Sequence, residues 1–261
     1  MTGTGLKSVF LVVFAWLTGA FIWGAAAGEP QKPELKIIFS QYTPPYVFEN
    51  GQGIVVDIVR AALAPAGYRI TPVYVPIGRG VELFAERKVD GTAIIRESSG
   101  LAASYSDPFM QYHNAAFSLK RRGLVLSTVA DLKDKAVVGF QNASVFLGPE
   151  FGAMAAANTA YKELANQETQ TLMLLLGRID VAVMDSGIFH FYRQKLIAEG
   201  RAPAGEDIQV STLFPPTPYQ CAFVDPVVRD AFNRGLAAIR ASGRYDEIYR
   251  SYVGRYLWVN Q

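Results

Sequence analysis

Two octapeptides constrain how this chain can fold more than any other feature. Lys88-Val89-Asp90-Gly91-Thr92-Ala93-Ile94-Ile95 and Arg178-Ile179-Asp180-Val181-Ala182-Val183-Met184-Asp185 both run basic, apolar, Asp, then small and apolar residues, about 90 residues apart. Each follows an amphipathic helical stretch. A unit repeated at that distance predicts two α/β lobes built alike. A chain of 261 residues is long enough for two such lobes, each with its own core.

The flanking pattern supports this reading. Leu35 to Phe39 is an apolar run of strand length, and the prolines of Tyr42-Thr43-Pro44-Pro45-Tyr46 force a loop after it. Asn50-Gly51-Gln52-Gly53 is a turn. Ile54, Ile58, Ala61 and Ala62 follow at helical spacing, and Gly67 supplies a C-terminal cap. Tyr68 to Val75 alternates as a strand does, Arg79 to Arg87 is a short helix, and Thr92 to Ile95 is a strand. The second half restarts with a strand at Ala136 to Phe140, the polar loop Gln141 to Ser144, a helix near Glu168 to Leu176, and the strand ending at Asp185. Asp225-Pro226 opens a C-terminal helix closed by Gly243, and Tyr245 to Val253 forms another. Asp90 and Asp180 are expected to hold backbone turns.

The N-terminus is of a different kind. Lys7 precedes an apolar run from Ser8 to Trp23, then Ala25-Ala26-Ala27 and Gly28-Glu29-Pro30, the pattern of a secretory signal peptide over residues 1–27 cleaved after Ala27. The run approaches membrane-spanning length, so an uncleaved anchor is the alternative. No second run of that length follows. The net charge of +2 is scattered, without the basic stripe of a nucleic-acid binder. Cys221, the only cysteine, lies in an apolar stretch and is expected to be a buried, inert thiol. His113 and His190 stand alone, Gly51-Gln52-Gly53 lacks the third glycine of a dinucleotide loop, and no nucleophile elbow or phosphate loop appears. No metal, cofactor or catalytic residue is expected.

In open α/β sheets ligands sit beyond the carboxyl ends of the strands. The loops there are Ser40 to Tyr46, Arg96 to Gly100, Gln141 to Ser144, and Asp185-Ser186. Two lobes facing each other through such loops make a cleft.

On these residues the chain resembles the solute-binding proteins of amino-acid ABC transporters (the extracellular solute-binding proteins of family 3). The marks are Pro44-Pro45-Tyr46, the Gly53 to Gly67 helix, Tyr105-Ser106-Asp107-Pro108-Phe109 and Asp131-Leu132-Lys133-Asp134-Lys135. They continue with Gly177-Arg178-Ile179-Asp180 leading to Asp185-Ser186, and Ala241-Ser242-Gly243-Arg244-Tyr245-Asp246-Glu247-Ile248-Tyr249. The resemblance implies an α/β, two-lobed periplasmic-binding-protein architecture (type II, Venus flytrap). Lobe 1 would comprise 28–118 plus 216–261 and lobe 2 would comprise 119–215, with crossings near Phe117 to Lys120 and Leu213 to Tyr219. It further implies a small polar ligand, an amino acid or related organic acid, handed to a membrane ABC permease from the periplasm.

The resemblance also distributes roles. Asp185 would pair with a ligand ammonium, or cap the helix after it. Asn142 and Ser144 would offer donors to a carboxylate, or serve only the turn. Tyr42 and Tyr46 flank the prolines, where one forms a pocket wall and the other packs in the core. Ser40 stands where many relatives carry an acid, which weakens a preference for cationic ligands. Relatives carry a Ser-x-Thr-x-x-Arg segment whose Arg clamps a carboxylate. Here the Asp90–Ser106 interval is about three residues short and lacks that Arg. Arg96 or Arg79 would substitute, with Ser98 and Ser99 nearby. The alternatives are a periplasmic cyclohexadienyl or arogenate dehydratase with Glu97 or Asp185 as acid, and a sensor that reports ligand to a membrane receptor.

Overall fold

The computed structural model describes residues 1–3, 33–39, 42–75 and 77–256. The expected signal segment, beyond its first three residues, and Ser40 lie outside the described residues. None of the described helices is long and apolar enough to cross a membrane.

The first lobe begins with β1 (Glu34–Phe39), α1 (Ile54–Leu63), β2 (Arg69–Tyr74), α2 (Ile77–Ala85), β3 (Gly91–Ile95), β4 (Ser104–Tyr105) and β5 (Met110–Tyr112). The second holds β6 (Asn114–Leu119), β7 (Val137–Phe140), α3 (Ala143–Phe146), α4 (Pro149–Ala157), β8 (Lys162–Leu164), α5 (Gln167–Leu175), β9 (Val181–Asp185), α6 (Ser186–Ala198) and β10 (Ile208–Ser211). The chain then returns through β11 (Thr217–Phe223), α7 (Pro226–Ala241) and α8 (Arg244–Tyr256). One sheet has the order β2-β1-β3-β11-β4, with β5 on the start of β11, and the other has the order β10-β6-β9-β7-β8. In each, three strands joined through helices are parallel and the returning strand is antiparallel.

The repeated octapeptide performs the same task in both lobes. The Asp90 carboxylate accepts from the Lys36 N–H at 2.8 Å, and the Asp180 carboxylate accepts from the Ala136 N–H at 2.8 Å. Each Asp N–H returns a bond to the same residue's carbonyl at 2.9 Å. Both aspartates thus fix the register of an incoming strand.

Apolar patterning supplies the rest. Ile37, Phe39, Ile58, Phe117, Phe189 and Phe232 are fully buried in one core cluster spanning both lobes. Pro72 sits in β2, an edge strand, where a missing N–H costs least. At Gly53, φ is +131° and an added Cβ would lie 2.3 Å from the Tyr46 carbonyl oxygen, so only glycine lets the 42–47 loop close against α1. That loop contains a cis Pro44–Pro45 peptide.

The first sheet exchange falls at His113, upstream of the Phe117 to Lys120 window expected from sequence. The run 114–119 belongs wholly to the second sheet, with Asn114 opposite Asp185. One residue suffices because His113 is held on both sides. Its N–H donates to Asp185 Oδ2 at 2.8 Å, and its carbonyl accepts from the Ser186 N–H and hydroxyl, each at 3.0 Å. The return crossing occupies residues 212–216, between β10 and β11.

Candidate functional site

Between the strand ends of the two sheets lies a cavity of about 400 Å³. Ile38, Val75, Val81, Ile94, Arg96, Ser98, Ser99 and Leu101 wall it from the first lobe. Tyr112 and Tyr219 enter from the crossing strands, and Phe140, Gln141, Phe146, Leu147, Gln167, Asp185 and Ile188 come from the second lobe. Of the eight residues expected at a site, the wall contains Arg96, Ser98 and Asp185.

Arg96 follows β3 directly. That strand ends irregularly: Ile94 has φ +58°, an outlier for a β-branched residue, and the β11 partner slips register between Gln220 and Ala222. Beyond this irregularity the Arg96 guanidinium lies 5.6 Å from the centroid of the Tyr219 ring, a cation on an aromatic face. Among the described residues no carboxylate pairs with it. Burial raises the Tyr219 hydroxyl pKa, and Arg96 partly opposes the shift. Arg79, the alternative, is exposed and turned away from the wall. It pairs with Glu82 at 2.6 Å, one turn along the same helix, while its neighbours Gly80 and Val81 face the cavity.

Asp185 is both a wall residue and a helix cap. Its Oδ1 accepts from the Ile188 N–H at 3.1 Å at the start of α6, and its Oδ2 from the His113 N–H. The Gly187 N–H and the Tyr46 hydroxyl also bond to it. Those donors use the acceptor sites a carboxylate offers. Burial raises its pKa, against these stabilising bonds. Tyr46 is buried, outside the cavity wall. Its ring meets Tyr112 edge-on at 4.8 Å, and Tyr112 meets Tyr219 at 5.1 Å. Burial, with the Asp185 charge as a second cause, raises the Tyr46 and Tyr112 pKa values well above the ordinary tyrosine range. Tyr42 also lies outside the wall, partly exposed and edge-on to Phe48.

Asn142 and Ser144 lie outside the cavity wall, and the Asn142 N–H and both Ser144 donors already hold an anion from the chain itself. The Asn142 N–H donates to Glu163 Oε2 at 2.7 Å, the Ser144 N–H and hydroxyl donate to Oε1 at 2.9 and 2.7 Å, and the Tyr161 hydroxyl adds a bond of 2.8 Å. Burial pushes the Glu163 pKa up, but these bonds outweigh it and hold the carboxyl below its usual range. The loop is an anion-binding nest, occupied by Glu163.

Sequence reasoning did not single out Tyr112, Tyr219, Gln141 or Gln167 as wall residues. Tyr112 and Tyr219 were findable, since each is an aromatic beside a chain crossing and Tyr112 pairs with Thr217 across it. Burial lowers the His190 pKa, and its ring packs on Phe117 and Phe189. Among the described residues no three His, Cys, Asp or Glu side chains converge as a metal site. Cys221 is fully buried.

Comparison with known proteins agrees with this geometry. The chain is similar to an ancestral arginine-binding protein bound to arginine, with 21% identity over 85% of this chain and 99% of that one, at a TM-score of 0.66. It is similar to the second substrate-binding domain of GlnP from Lactococcus lactis in its open conformation, with 20% identity over 86% and 97%, at a TM-score of 0.60. It is also similar to an ancestral amino-acid-binding protein described as a precursor of cyclohexadienyl dehydratase, with 19% identity over 84% and 95%, at a TM-score of 0.63. At these identities the likeness establishes the fold. No curated protein matches the chain in sequence. The family model for bacterial extracellular solute-binding proteins, family 3, matches residues 35–255, and the chain belongs to that family.

Proposed function

We propose that this protein captures a small amino acid or related organic acid between its lobes and delivers it to an ABC permease, acting in the periplasm after cleavage following Ala27. One observation carries the reading: Arg96, without an anionic partner among the described residues, faces an interlobe cavity whose wall also contains the buried Asp185. A half-buried guanidinium on a cavity wall, with no carboxylate beside it, is a recognition element for a carboxylate. Two chain crossings between the lobes give the architecture a hinge about which closure would bury the ligand.

The dehydratase reading would need an acid on the cavity wall. Glu97 is exposed and outside the wall, and the Asp185 carboxylate, though burial raises its pKa, already accepts from His113, Ile188, Gly187 and Tyr46 as a helix cap and crossing anchor. These structural commitments support binding over catalysis. Thermal shift of ligand-stripped protein against amino acids and small organic acids tests the proposal. A ligand at 100 times its Kd adds about 2.7 kcal/mol, a shift of several degrees for a chain of this size. Silence across the whole library would refute it, and aromatic product from prephenate or arogenate would establish the enzymatic alternative.

A further inference from the structure

We infer that the ligand carries a single carboxylate, held by Arg96, on an apolar body and not a charged one. This rests on the binding function just proposed and narrows it to a ligand class. Apolar side chains make up a large part of the wall on both sides, Val75, Val81 and Leu101 on one and Phe146, Leu147 and Ile188 on the other, beside the neutral polar groups of Ser98, Ser99, Asn114, Gln141 and Gln167. Phe146 and Val81 remain 41% and 42% exposed, apolar surface left for something to cover.

The charged groups point the same way. A second acidic group would find no second cation among the described wall residues, where Asn114, Gln141 and Gln167 of the second lobe offer only neutral amides. A basic side chain would need a carboxylate acceptor. Asp185 is the one carboxylate among the described wall residues, and Ile188, His113, Gly187 and Tyr46 already donate to it. Arg96 is the one cation among the described wall residues and has no carboxylate partner there, so it anchors one carboxylate while the remainder of the ligand meets mainly hydrocarbon.

Calorimetric titration of ligand-stripped full-length protein with propionate, butyrate, valerate and hexanoate tests this directly. Each added methylene should tighten binding about fourfold, the fold-change equivalent of burying one CH₂. 6-Aminohexanoate and adipate should bind at least roughly tenfold more weakly than hexanoate, the cost of leaving a charge without a partner. R96Q should weaken the whole series by about 10- to 100-fold while preserving the slope per methylene, with circular dichroism confirming the fold. A flat series, tighter binding of 6-aminohexanoate or adipate, or unchanged hexanoate affinity in R96Q would overturn the inference and leave the binding function standing. Failure of every amino acid and organic acid to bind would bring down the function itself.

Discussion

Replacing Glu163 with alanine isolates the internal anion site. The substitution strands the Asn142 N–H, the Ser144 N–H and hydroxyl, and the Tyr161 hydroxyl, four donors now within 2.7–2.9 Å of one carboxylate. A hydrogen bond to a charged group contributes about 1.5–3 kcal/mol when buried. The cluster is only half-buried, so water replaces part of each bond, and the net loss should be about 2–3 kcal/mol for the set. At this chain size that lowers Tm by roughly 5–10 °C. Scanning calorimetry reads the shift, and two further measurements tie it to charge. Because the folded pKa lies below the ordinary glutamate value, the contribution is present above that value and lost as pH falls through the folded pKa, so the E163A penalty should shrink in acid. Concentrated formate should refill the nest and restore stability to E163A without stabilising the native chain. An E163A protein that melts within about a degree of the native one, or a penalty indifferent to both pH and formate, would refute the account.

Asp185→Asn should behave oppositely with pH. It preserves shape but turns one acceptor into a donor facing the Ile188 or His113 N–H, and costs about 2–4 kcal/mol by denaturant titration. Burial raises the Asp185 pKa, so its favourable contribution is present below the ordinary aspartate value and lost as pH rises through the folded pKa. The D185N penalty should therefore be largest in acid and smallest near neutrality; the reverse trend would contradict the assignment of burial as the dominant cause. Gly235→Ala should cost about 3 kcal/mol in the same titration. Its Cβ would lie 1.7 Å from the Ala62 carbonyl oxygen, where α7 crosses α1. Gly205→Ala, with open space around it and no positive φ, should be neutral or slightly stabilising.

The parts of this molecule legible in sequence are those where one local pattern decides the outcome. Apolar spacing marks α1 and α7, and the prolines at 44 and 45 end β1. The Lys88 and Arg178 octapeptides announce paired strands pinned by Asp90 and Asp180. What escaped depends on partners distant along the chain. Asn142 and Ser144 have the composition of an anion site and form one, but its occupant comes from an edge strand 19 residues past Ser144, and nothing in the local sequence says that Glu163 folds inward. Arg79 and Arg96 are indistinguishable as residues. Helix α2 commits the first to Glu82, and only the bend at Ile94 carries the second over Tyr219.

The repeat itself separates what builds the fold from what builds the site. Through seven positions the two octapeptides agree in kind, and those positions set strand register in both lobes. At the eighth they part: Ile95 stands in one lobe where Asp185 stands in the other, and Arg96 follows where Ser186 follows. These are the positions at which the strands reach the cavity, and the divergence places a cation on one lobe and a buried anion on the other. A backbone duplicated in pattern needs identical chemistry only where strands must align. At the last paired residues, Ile95 opposite Gln220 and Asp185 opposite Asn114, and just beyond them, the constraint lapses, and the side chains there answer to whatever occupies the gap. Exchanging the two strand-end pairs, Ile95-Arg96 for Asp185-Ser186, should therefore abolish ligand binding by moving each charge to the opposite lobe while leaving the Asp90 and Asp180 register contacts formed. Amide exchange at Lys36 and Ala136 would report this, and loss of protection there would show that fold and site are not separable in this way.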